Sequence, residues 1–147
     1  MADIHVDDFY KDCAVILCQL YITFPRPSTI YVDDIIGPEE ADEFGLQSKR
    51  HQACFATMLW LGDEGYLRYS DTVQQIAIDQ AVLTHRAFVL ISGQYELHPL
   101  PSDEDTSLPG SVLEHRLSNI NQLRLAIQSG SSASLKTIVR YLLARWR

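Results

Sequence analysis

The stretch T57-MLWLGDEGYLRY-S70 passes from apolar to acidic to aromatic residues within fourteen positions. Two readings compete for it. Asp63 and Glu64 are either a carboxylate pair with a chemical role or the wet joint between a helix and a strand. General acid–base work needs two groups whose environments separate their pKa values across a cleft, and neighbours at a helix exit do not share a substrate. Gly65 supplies a stop where a positive φ is needed, and Tyr66-Leu67 begins an extended run. The stretch therefore reads as helix, turn and strand.

Working outward, Ser48 to Gly62 reads as a helix capped by Ser48, with Cys54, Phe55, Met58, Leu59 and Leu61 as its buried stripe. After it, "YLRYS" is an expected strand, "DTVQQ" a turn-like tip and "IAIDQAVLT" a returning strand. Thr84 then caps a short helix, "HRAFVLIS". Upstream, Val6, Phe9, Cys13, Ile16, Leu17 and Leu20 recur at helical spacing until Pro25 and Pro27 end the helix. "TIYV" reads as a short strand. A turn through Ile36 follows, and then a helix over "GPEEADEF" with Pro38 in its first turn.

Past Gly93 the composition changes. Pro99, Pro101, Pro109, Gly110 and the run Asp103-Glu104-Asp105 read as a flexible linker. Ser111 with Glu114 has the capping-box pattern, ahead of a face of Leu113, Leu117, Ile120, Leu123 and Ile127. "SGSSAS" breaks the chain, and Leu135, Ile138, Val139, Leu142, Leu143 and Trp146 form a second stripe. The expected organisation is a domain over 1–92, a linker over 93–110 and a basic amphipathic helical tail over 111–147.

The formal charge of −7 on 147 residues is unevenly divided. Residues 1–110 hold 18 acids against six bases, a net of −12, whereas 111–147 hold six bases against one acid, a net of +5. The tail is thereby expected to meet an acidic surface: its own body, a second copy, another protein or nucleic acid. Cys13, Cys18 and Cys54 form no paired short spacing, so neither a disulfide framework nor a zinc site is expected, and reduced thiols suit a cytoplasmic location. Met1 to Asp12 is acidic and polar and reads as no leader, and no apolar run approaches a membrane span. Neither a Gly-x-Ser-x-Gly elbow nor a Gly-rich phosphate loop is present, so no enzyme, cofactor or small-molecule substrate is inferred.

The segments "FATMLWLGDEGYLRYS" and "AVLTHRAFVLI" resemble the second half of a winged helix-turn-helix domain. The positions that carry the likeness are Trp60, Leu61, Gly65, Tyr66 and Leu67, then Leu83, Thr84, Ala87, Phe88 and Leu90. The upstream "ILCQLYITFPRPSTIYVDDI" is similar to that family's first helix and strand. The resemblance spans roughly residues 6–92 and implies an α+β, mainly helical fold with the two tail helices as an extension. In DNA-binding members the third helix enters the major groove by its amino-terminal end. The matching positions Lys49 and Arg50 would meet phosphate or guanine and Gln52 adenine, with Arg68 on phosphate, and outside the resemblance the tail cations Lys136 and Arg140 would add phosphate contacts. The wing tip, however, carries an acid and no base. Acidic winged helices of bacterial chromosome-organising complexes instead bind proteins. The function expected is that of a non-enzymatic adaptor or regulator, in a nucleic-acid-associated system, that contacts a protein partner or homodimerises through Leu135, Ile138, Val139, Leu142, Leu143 and Trp146. A DNA-binding transcriptional regulator is the alternative.

Overall fold

A computed structural model describes residues 3–38, 42–96 and 117–146. Six helices and four short strands alternate among them, an α+β arrangement in which helix predominates. In chain order these are α1 (Ile4–Thr23), β1 (Ser28–Tyr31), α2 (Val32–Ile36), α3 (Lys49–Asp63), β2 (Leu67–Arg68), β3 (Asp71–Val73), β4 (Ala77–Leu83), α4 (His85–Ser92), α5 (Asn119–Ser129) and α6 (Ser132–Ala144).

α1 buries Cys13, Ala14, Ile16, Leu17, Cys18 and Leu20, more than one face, because α3 packs on one side of it and α5 and α6 on another. α3 buries His51, Cys54, Thr57, Met58 and Leu61, and its first turn is closed by Ser48, whose Oγ accepts the His51 amide at 3.0 Å. Its other end answers the question of "LGDEGY". The Tyr66 amide donates to the Leu61 carbonyl at 2.9 Å and the Gly65 amide to the Gly62 carbonyl at 3.1 Å. With Gly65 at φ +87°, this pair of bonds is a Schellman stop, which needs a left-handed residue. Asp63 and Glu64 stay exposed on the joint.

β4 is the centre of the sheet. β1 pairs antiparallel along one edge, and β2 and β3 share the other. The β1–β4 register slips between Ser28 and Ile30, opposite Gln80 at φ 54°, which marks a bulge. Asp79 holds it together: its Oδ1 accepts from the Thr29 hydroxyl at 2.8 Å and the Gln80 amide at 2.9 Å, and its carbonyl accepts from the Ser70 amide at 3.0 Å. Thr84 then ties the sheet to α3 and α4 together, donating to the Gly65 carbonyl at 2.8 Å and accepting from the Ala87 amide at 3.2 Å.

Three local expectations change. "GPEEADEF" is not a helix over its described part. Asp42 Oδ1 accepts from the Phe44 and Leu46 amides at 2.9 and 2.8 Å, an Asx turn that competes with helix formation. The turn expected through Ile36 is present and helical, as α2. The hairpin tip is Gln74–Gln75, because Asp71–Val73 pairs with β4 as a strand. Finally, α5 starts at Ser118, whose side chain accepts the Asn121 amide at 3.3 Å. The capping box at Ser111 and Glu114 and most of the 93–110 linker lie outside the described residues.

The tail packs on its own body. Ile120, Leu123, Ala126, Leu135, Ile138, Val139 and Leu142 join Cys13, Leu17, Met58 and Ile78 in one hydrophobic core. Residues on either side of 97–116 pair with each other: the Tyr95 amide donates to the Leu117 carbonyl at 2.7 Å and the Asn119 amide to the Gly93 carbonyl at 2.8 Å. The tail lies against the chain's own α1 through this apolar core, and its Arg145 pairs with Glu96.

Candidate functional site

The side chains expected to meet a partner are turned inward. Leu135, Ile138, Val139 and Leu142 are buried, and Leu143 and Trp146 are partly buried against the same core. This corrects their assignment as a free docking stripe: an apolar face already covered by α1 and α5 has no surface left to offer. Trp146 is a clamp. Its ring stacks on Tyr66 at 4.0 Å between centroids, the Arg86 guanidinium lies 4.2 Å from the ring centre, and Nε1 donates to the Glu64 carbonyl at 3.0 Å. Trp60 stacks beyond Tyr66 at 6.1 Å, and Phe9 meets Trp60 edge-on at 5.1 Å. The cluster of Trp60, Tyr66 and Trp146 thus holds the carboxy-terminal end of α6 over the α3–β2 joint. Burial pushes the Tyr66 phenol up to about 12.

The helix end expected to read DNA is only partly cationic. Arg50 forms a two-pronged pair with Asp12, Nη1 to Oδ2 at 2.6 Å and Nη2 to Oδ1 at 2.5 Å, and its Nε lies 3.6 Å from Asp8. Asp12 is 1% exposed. A buried carboxylate needs such a partner, so Arg50 is held by α1 rather than presented to a ligand. The Asp12 hydrogen bonds raise the guanidinium pKa further. Gln52 donates through Nε2 to the Gln47 carbonyl at 2.9 Å. Lys49 is exposed at the start of α3, Arg68 on β2, and Lys136 and Arg140 on the outer face of α6. These four cations come from three elements.

A different feature occupies the exposed side of α3. Gln47, Gln52, Phe55, Ala56 and Leu59 line a groove of about 250 Å³ together with Gln75 at the hairpin tip. Buried His51 joins tip to helix, its Nε2 lying 2.9 Å from the Gln75 carbonyl. A carbonyl only accepts, so Nε2 donates there, and Nδ1 finds no hydrogen-bond partner among the described residues. Just before groove residue Gln47 in the chain, the Asp42 turn closes on itself, the Asp42 amide donating to the Leu46 carbonyl at 3.0 Å. Gly45 at φ +76° completes it, leaving Phe44 78% and Leu46 62% exposed.

Phe55 and Leu59 were expected in the core stripe, and both are half-buried against the core with an edge left on the groove, whereas Phe44 and Leu46 were given no role. A signal was present. Cys54 and Met58 are the buried i, i+4 pair of α3, and Phe55 and Leu59 are the same pair rotated by one residue, toward the helix edge. Cys13, Cys18 and Cys54 are all buried and unpaired. Burial pushes the thiols of Cys18 and Cys54 up to about 12 and that of Cys13 higher still, which keeps them protonated and unreactive. Among the described residues no group of three or more His, Cys, Asp or Glu side chains is placed to hold a metal, and no helix is long and apolar enough to cross a membrane. No family model, curated protein or solved structure matches the chain.

Proposed function

We propose that the chain is a winged-helix module that works without catalysis, through protein–protein contact, as an adaptor or regulator in a nucleic-acid-associated system. The order α1, β1, α2, α3, hairpin, with β1 and the wing strands flanking β4, supports the winged-helix reading. The observation that carries the function is the state of α3. The arginine that DNA binding would need is committed to Asp12 and Asp8, while half-buried Phe55 and Leu59 keep an apolar edge on the groove and exposed Phe44 and Leu46 precede its residue Gln47 in the chain. Nucleic-acid affinity depends on phosphate neutralisation, whereas a desolvated aromatic and aliphatic centre is what protein interfaces use. The contact surface is thus moved from the α6 stripe to the α3 groove.

A DNA-binding regulator remains the second reading, on the exposed cations Lys49, Arg68, Lys136 and Arg140. Titration of the full chain with random-sequence duplex DNA at low salt separates the two. The protein-contact reading expects no binding. Salt-steep binding that Lys49→Ala abolishes would overturn it.

A further inference from the structure

We infer that the α3 groove takes a basic amphipathic helix of a partner protein, apolar at its centre and carrying Lys or Arg at both ends. The inference rests on the protein-contact reading and adds the chemistry of the partner. From Gln47 just before the helix, the lining residues Gln52, Phe55, Ala56 and Leu59 follow one side of α3, so the groove runs along the helix and favours an elongated occupant. It presents side chains rather than an unpaired strand edge, which suits a helix laid into a groove and not an added strand.

Charge brackets the apolar centre. At the amino-terminal end the closed turn brings Asp42 and Glu43 beside Leu46 and the Gln47 edge, both acids exposed. At the other end, one turn beyond Leu59, stand the exposed Asp63 and Glu64. Lys49 offsets one of the first pair, and Arg86, seated over Trp146 beside Glu64, offsets one of the second, so each end keeps a net charge of −1. From Lys49 to Asp63 the helix rises about 21 Å, the length of a partner helix of about four turns. Duplex DNA would meet repulsion at both ends. A second copy fits less well: the exposed cations of α6, Lys136 and Arg140, stand among Thr137, Ala133 and Ala144, and no large apolar side chain of α6 is exposed beside them to fill the groove.

The probe is a labelled helical peptide of about 18 residues, with Leu and Phe on its two central turns and Lys at both ends, and a counterpart with Glu in place of every Lys. Fluorescence anisotropy on the full chain should show the Lys peptide binding at least about tenfold tighter than the Glu peptide. The F44S/L46S double variant should lose about tenfold for the Lys peptide, with an unchanged far-ultraviolet circular dichroism spectrum, since both residues are exposed. Equal binding of the two peptides, or indifference to F44S/L46S, overturns the inference. If neither peptide binds but sedimentation shows self-association that F44S/L46S removes, the occupant is a second copy: the inference falls and the protein-contact reading stands. If duplex DNA binds and Lys49→Ala abolishes it, both fall.

Discussion

The pair between Asp12 and Arg50 separates a structural arginine from a reading one, and the separation is measurable. Asp12 has 1% of its side chain exposed and Arg50 25%, and two parallel N–H···O bonds join them. Removing one partner of a buried ion pair costs about 3–5 kcal/mol, because the survivor is left charged and unpaired. Arg50 is partly open to water and Asp8 already stands near it, so solvent reaches the space that Arg50→Met leaves, and the low end of about 3 kcal/mol is expected. At a urea m-value of about 2 kcal/mol/M, the unfolding midpoint falls by about 1.5 M. The double variant Asp12→Leu/Arg50→Met removes both charges where Cys13 and Cys54 already make the surroundings apolar, and should return to within about 1 kcal/mol of the parent. Lys49→Ala, one residue away and exposed, should move the midpoint by no more than about 0.3 M. Urea titrations of the four proteins, with m-values compared, decide the matter. An Arg50→Met shift below about 0.5 M, or a double variant no milder than the single, would refute the claim that Asp12 holds Arg50 in place.

Two further outcomes follow from the geometry. Gln74 and Gln75 sit at φ 47° and 62° across a turn closed by the Ile76 amide on the Val73 carbonyl at 2.8 Å, a geometry that prefers an Asn-Gly pair. The double variant Gln74→Asn/Gln75→Gly should raise the urea midpoint by about 0.5 M, since His51 contacts only the backbone of residue 75; a lowered midpoint would show that the glutamine side chains hold the tip. Trp146→Ala removes a ring stack, a cation–π contact and a hydrogen bond from a half-buried site and should cost about 2 kcal/mol, with Trp146→Phe costing about 1; a change under about 0.5 kcal/mol by the same titration would mean that the end of α6 is not clamped.

Some of this protein is local and was therefore readable from the chain. Ser48 and Thr84 cap helices because a hydroxyl reaches an amide three residues on, and Gly65 ends α3 because only a left-handed residue completes the stop. Those features depend on neighbours in sequence, and so "TMLWLGDEGYLRYS" resolved into helix, joint and strand with its two acids in solvent. The same locality explains where reading failed near it: the Asp42 side chain captured two amides of a segment whose composition favours a helix start.

What periodicity does not contain is which surface covers a stripe. Leu135, Ile138, Val139 and Leu142 form the same pattern whether they face a partner or α1, and only the tertiary packing placed them in the core. Likewise Arg50 is one cation among twelve in sequence, and its partner Asp12 lies 38 residues away, so its withdrawal from any ligand is a consequence of how α1 crosses α3. The groove is of the same kind. Phe55 and Leu59 keep an open edge because the core closes over Cys54 and Met58 one residue behind them, and the Asp42 turn left Phe44 and Leu46 in water. Sequence determines the faces that a helix possesses, and tertiary contact determines which of them remain to be used.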